Sequence, residues 1–76
     1  MLDGNKVRVL REKRKLTQHE LAMATGMQDT IISRLEGMVS NAKITTVLKI
    51  AKALDCPVKD ILSDGALSFL AGKKSA

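Results

Sequence analysis

Five polar side chains with different hydrogen-bonding chemistry crowd into one short stretch. Gln28, Asp29, Thr30, Ser33 and Arg34 supply a carboxamide, a carboxylate, two hydroxyls and a guanidinium. Ile32 and Leu35 interrupt them at i, i+3, the spacing of an inward helical face, so the five polar groups share what remains, an outward face. Such a set can give and take hydrogen bonds in the plane of a flat partner, but it is not a catalytic set. Catalysis needs a nucleophile, a base and groups that orient them. The chain has one histidine, His19, expected on the outer side of a helix with no carboxylate cluster around it, and one cysteine, Cys56, just before Pro57. The expectation is therefore no enzyme, no metal and no cofactor. Cys56 reads as a small apolar packing residue.

The elements that must hold this stretch follow from spacing. The chain has 76 residues and 8.2 kDa, which predicts one small domain. A chain this short buries only about 60% of its unfolded surface, so its core must be simple. Aromatic residues make up 1% of the chain and no long alternating run occurs, so strands are not expected. A first helix is predicted from about Asn5 to Lys15, with Val7, Leu10 and Arg14 on one face and Arg11 beside it. Thr17 followed by Glu20 is a capping box, in which hydroxyl and carboxylate each satisfy a free backbone N–H. A second helix therefore starts at Gln18, turns Leu21, Ala22 and Thr25 inward, and ends at Gly26. A third covers about Gln28 to Glu36, stopped by Gly37. A fourth runs from Thr45 or Thr46 to Leu54, with Ile44, Val47, Leu48, Ala51 and Leu54 as its inward stripe. Pro57 suits the first turn of a fifth, with Val58, Ile61 and Leu62 inward. The prediction is an all-α, compact bundle of five short helices without a sheet, in residues 1–63. Residues 64–76 form a tail with an apolar patch at Leu67, Phe69 and Leu70. The second and third helices, joined by about three residues at a glycine, form a helix-turn-helix.

Charge points to a partner. Thirteen Lys and Arg against eight Asp and Glu give +5, an excess that suits a polyanion. It is unevenly placed: +4 over residues 1–15, −2 over 16–40 and +3 over 41–76. No apolar run approaches the roughly 18 residues of a membrane span. The start of the chain has no apolar signal region, and one cysteine excludes an internal disulfide, so a cytoplasmic, disulfide-free module is expected.

The stretch Leu16-Thr-Gln-His-Glu-Leu-Ala22, then Gly26, then Ile32-Ser-Arg-Leu-Glu36, then Thr46-Val-Leu-Lys-Ile-Ala-Lys-Ala-Leu54, resembles the phage repressor and Cro-like helix-turn-helix family, also called the xenobiotic-response-element family. The resemblance runs without a gap from about Val7 to Leu62 and implies a lambda-repressor-like DNA-binding domain. The sequence departs from the family at two places. Gln28 stands where a Ser or Thr usually opens the third helix, and Met38 holds the usual position of a glycine.

The resemblance implies roles. Gln28, Asp29, Thr30 and Arg34 face bases, with Ser33 on the same side. Gln28 suits adenine N6/N7, Arg34 suits guanine O6/N7, and Thr30 can offer its methyl to thymine. Asp29 has two readings, an acceptor for cytosine N4 or a first-turn residue that complements the helix dipole. Ile31 either touches a thymine methyl or packs over the helix seam, the second being favoured. Thr17 and Gln18 carry over as phosphate contacts, and Asn41 and Lys43 are chosen for the same role in the loop after the third helix. Lys6, Arg8, Lys13, Arg14 and Lys15 read as a solvated face. The arginine of the first helix, Arg11, pairs in the family with the glutamate ending the third, Glu36.

The implied function is a sequence-specific regulator of transcription that binds double-stranded operator DNA and represses by occupancy. One reading helix covers few base pairs, so a homodimer is expected, with its contact between Val58 and Leu70. No small-molecule ligand is implied. The alternative is a protein-interaction module on the same scaffold, an antitoxin or an adaptor.

Overall fold

Three helices of this chain end in the same way, on three different residues. A computed structural model describes residues 1–63. In it α1 spans Gly4–Lys13, α2 Gln18–Thr25, α3 Asp29–Glu36 and α4 Ile44–Ala53. After α1, α2 and α4 the chain steps into the left-handed region at Lys15 (φ 59°), Gly26 (φ 71°) and Asp55 (φ 53°). The next amide then reaches back to the last turn: Leu16 to the Arg11 carbonyl (3.0 Å), Met27 to Ala22 (2.9 Å) and Cys56 to Ala51 (3.0 Å). These bonds satisfy carbonyls that a helix end leaves open. Glycine signals only one of the three ends, because only Gly26 lacks the Cβ that makes this conformation costly.

The starts differ more. The Asp3 carboxylate accepts from the backbone N–H of Asn5 (3.0 Å) and Lys6 (3.4 Å), which moves the start of α1 one residue ahead of the expected Asn5. Thr17 and Glu20 form the capping box, with Glu20 N to Thr17 Oγ1 at 3.0 Å and Thr17 N to Glu20 Oε1 at 2.8 Å. Gln28 and Lys43 stand before α3 and α4, and neither makes a side-chain cap.

The helices close over a core in which Leu21, Ile50, Leu54 and Ile61 have no accessible surface and Leu2, Val7 and Ile32 keep 1%. Burying each such side chain contributes about 1.5–3 kcal/mol. α2 packs against α3 and α4, and α1 lies across α3. The buried Thr25 hydroxyl donates to the carbonyls of Leu21 and Ala22 within its own helix, so it leaves no open polar group in the core.

Three expectations change. The fold is mostly helical but contains a sheet: β1 (Leu2–Asp3) pairs antiparallel with β2 (Val39–Ser40), Leu2 opposite Ser40 and Asp3 opposite Val39. Leu2 also bridges to Leu62, so one buried residue ties the chain start to the loop after α3 and to the end of the described chain. Two-residue strands have no periodicity to detect. The expected fifth helix is a single 3-10 turn, Val58–Ile61, closed by the Asp60 amide on the Pro57 carbonyl at 3.0 Å. Finally, α4 turns Val47, Ile50, Ala51 and Leu54 inward and leaves Ile44 (63%) and Leu48 (51%) exposed. The buried arc is rotated roughly 50° from the expected stripe, at 100° per residue, because docking against α2 selects Ile50 over Leu48. The tail residues Leu67, Phe69 and Leu70 lie outside the described residues.

Candidate nucleic-acid interface

The local sequence builds α3 as a rod with two unlike sides. Ile32 is buried and Leu35 is half-buried against the core, while Gln28, Asp29, Thr30, Ser33 and Arg34 are all exposed. Eight residues make a rod roughly 12 Å long, and the major groove of DNA, about 12 Å wide, admits one helix. Gln28 adopts an extended conformation (φ −80°, ψ 149°) and stands just ahead of the first helical residue, Asp29. Ile31 is half-buried at the edge of this face.

The far end of the rod is anchored by charge. Arg11 Nε lies 2.6 Å from Glu36 Oε2 and Nη2 lies 3.1 Å from Oε1, a two-pronged pair between α1 and α3. The two side chains keep 10% and 3% of their surface. Arg11 Nη1 also donates to the Leu16 carbonyl at 2.7 Å. The hydrogen bond to Glu36 raises the guanidinium pKa above its ordinary value, burial opposes this, and the charge of Glu36 adds to the rise. The guanidinium is therefore charged at every ordinary pH, and the pair ties the end of α3 to α1.

The residues named for phosphate are more engaged than their types suggest. The Thr17 amide is taken by Glu20, and its hydroxyl oxygen accepts from the Glu20 amide, leaving the hydroxyl proton to donate outward. Gln18 Nε2 donates to Glu36 Oε1 at 3.1 Å, so its carboxamide joins the Arg11–Glu36 pair. Asn41 and Lys43 are exposed, and Lys43 immediately precedes α4, whose first-turn amides have no side-chain cap. Open amides at a helix start attract anions. Arg8 on α1 donates to Asn5 Oδ1 (3.0 Å) and Arg14, just past the end of α1, to the Asp55 carbonyl (3.0 Å), so part of the expected solvated face is tied to the protein itself.

His19, expected on the outer side of α2 with no carboxylate cluster around it, is exposed and lies with Nδ1 2.8 Å from Oδ2 of a single carboxylate, Asp29, a pairing that the sequence reading did not include. The two are ten residues apart on different helices, and no spacing rule connects them.

Comparison with known proteins places this geometry. Residues 7–61 match the family described as Helix-turn-helix. The chain is 40% identical over 60 residues to the HTH-type transcriptional repressor RghR of Bacillus subtilis (strain 168), covering 78% of this chain and 44% of that protein. It is 34% identical over 61 residues to the uncharacterized HTH-type transcriptional regulator RghRB of the same organism, covering 79% of this chain and 44% of that one. The chain spans less than half the length of the curated relatives it matches. Among solved structures, the restriction-modification controller protein C.AhdI from Aeromonas hydrophila superposes with a TM-score of 0.70 at 30% identity, over 75% of this chain and 86% of that one. The N-terminal DNA-binding domain of the biofilm regulator SinR from Bacillus subtilis shares the fold, with a TM-score of 0.71 at 23% identity over 83% and 93% of the two chains.

Proposed function

The chain belongs to the helix-turn-helix family of DNA-binding transcriptional regulators, in its Cro and phage-repressor branch, and from that premise we propose that it is a sequence-specific repressor acting by operator occupancy as a homodimer. The observation that carries this is the exposure of all five polar side chains of the α3 face while the opposite face is held by the core and by Arg11. α3 enters the major groove and α2 crosses the backbone. Gln28, Asp29, Thr30, Ser33 and Arg34 meet base edges. Thr17 through its hydroxyl, Gln18 through its backbone amide, and Asn41 and Lys43 through their side chains meet phosphates.

Residues 1–63 form the DNA-binding domain. Two reading helices about 34 Å apart match one turn of the duplex, which a C2 dimer provides. The dimer contact was expected between Val58 and Leu70, and the described residues add Ile44 and Leu48 as apolar surface suited to a second copy. The proposed role calls for no cofactor, and it is carried out in the cytoplasm on the nucleoid. Among the described residues no helix is long and apolar enough to cross a membrane. The comparisons do not favour the protein-adaptor alternative.

Selection of bound duplexes from a random library tests the reading. The expected result is an enriched site with two related half-sites about one helical turn apart. No enrichment at physiological ionic strength overturns it.

A further inference from the structure

His19 is the single histidine of the chain. Its Nδ1 lies 2.8 Å and 3.1 Å from the two oxygens of Asp29. A carboxylate only accepts, so Nδ1 carries the hydrogen and donates. Both side chains are exposed, at 66% and 57%, and a pair so exposed adds little to stability. Its consequence is positional. It joins the second residue of α2, the helix that crosses the backbone, to the first residue of α3, the end that meets bases.

We propose that His19 is a DNA-contacting and specificity-determining residue: its Nδ1–H fixes Asp29 as an acceptor for a base amino group, and its Nε2–H donates to a backbone phosphate. The proposal rests on the DNA-reading role of α3 given above. It resolves the double reading of Asp29. A bare carboxylate at the start of the reading helix is repelled by phosphates, and the reading unit is already net acidic. A hydrogen-bonded imidazole on that carboxylate offsets the repulsion and sets its orientation.

The ring chemistry adds a proton requirement. With Nδ1–H given to Asp29, a neutral ring leaves Nε2 as an acceptor, and phosphate oxygens also only accept. Contact with phosphate therefore needs the imidazolium, in which both ring nitrogens donate. The charged group that pairs with the ring is Asp29, while Glu20, on the same helix, is engaged by the Thr17 amide. DNA binding should thus take up a proton in the range where histidine ordinarily changes charge, about pH 5–8.

The test compares wild type, His19→Gln and Asp29→Asn on the duplex enriched by the wild type and on a scrambled duplex of equal length, at fixed salt from pH 5.5 to 8. Wild-type affinity for both duplexes is expected to rise about fivefold or more from pH 8 to pH 6. His19→Gln should flatten that rise and lower the salt slope at pH 6 by about one. Asp29→Asn should relax preference at one base pair per half-site. Because there is one histidine, its imidazole Hε1 signal reports directly, and its titration midpoint should move to higher pH when either duplex is added. A His19→Gln variant that keeps the wild-type pH rise and salt slope overturns the proposal, as does an Hε1 titration that DNA does not move. If the wild type enriches no sequence at any pH, the role of α3 falls first and this proposal with it. Melting temperatures near that of the wild type verify that both variants are folded.

Discussion

Gly4, the first residue of α1, is packed directly against the carbonyl of Leu35 in the last turn of α3. A Cβ built on Gly4 would overlap the Leu35 oxygen and stand 2.6 Å from the Met38 carbonyl oxygen. The Gly4 amide donates to that same Met38 carbonyl at 3.0 Å. Backbone meets backbone here, so no side chain can give way. Gly4→Ala is expected to cost about 3 kcal/mol or more and, in a domain this small, to lower the melting temperature by more than about 10 °C. Gly37→Ala is the control: φ is −94° and the nearest atom to a new Cβ is 3.6 Å away, so its melting temperature should stay close to that of the wild type.

Arg11 and Glu36 make the second joint between the same two helices. Glu36→Ala leaves a buried guanidinium without its partner and should cost about 3–5 kcal/mol. Replacing both residues, Arg11→Met with Glu36→Leu, should recover much of that loss, since two apolar side chains need no counter-charge. Urea unfolding of the wild type and the two variants measures it. A double variant as unstable as Glu36→Ala alone would show that the loss does not come from an unpaired buried charge.

Arg34 and Lys43 should fail differently on DNA. Arg34→Ala removes a two-pronged donor and should reduce discrimination at one base pair per half-site by about 1–3 kcal/mol. Lys43→Ala should weaken all sequences alike and flatten the salt slope by about one. Repeating the selection with each variant separates them, and an unchanged site logo for Arg34→Ala would remove its role as a reader.

Ile44 and Leu48 lie one helical turn apart on α4 and are both exposed. If a second copy covers them, Ile44→Glu with Leu48→Glu should shift sedimentation toward monomer and weaken binding to a two-half-site duplex more than to a single half-site. A wild type that is monomeric at high concentration, with and without DNA, removes the dimer.

Cys56 is half-buried against the core, and burial, aided by the charge of Asp60, raises its thiol pKa while Arg14 opposes this. The folded thiol therefore holds its proton at a pH where the unfolded one loses it. Its contribution to stability is full below the unfolded pKa and is lost as pH rises through the folded one. Thiolate is the reactive form, so alkylation at pH 8 should be slower in the native protein than in urea. Equal rates would contradict the shift.

The elements were legible where the signal is local. Thr17 and Glu20 sit three residues apart and cap a helix wherever they occur, Gly26 can take a left-handed turn without help, and Ile32 with Leu35 marks an inward face by spacing alone. The reading face followed as what these left outside. The rest depends on what meets what across the chain. Leu2 is a strand residue only because Ser40 and Leu62 come to it. Ile44 and Leu48 are as apolar as Ile50, and only the docking angle of α4 decides which is covered. Gly4 looks like punctuation until the Leu35 carbonyl arrives beside it. His19 and Asp29 carry no periodic relation, yet the turn at Gly26 folds one helix start onto the other. Backbone chemistry acts over three or four residues and can be read in order. Burial and charge pairing act over distance in space, and only the closed tertiary structure states those distances.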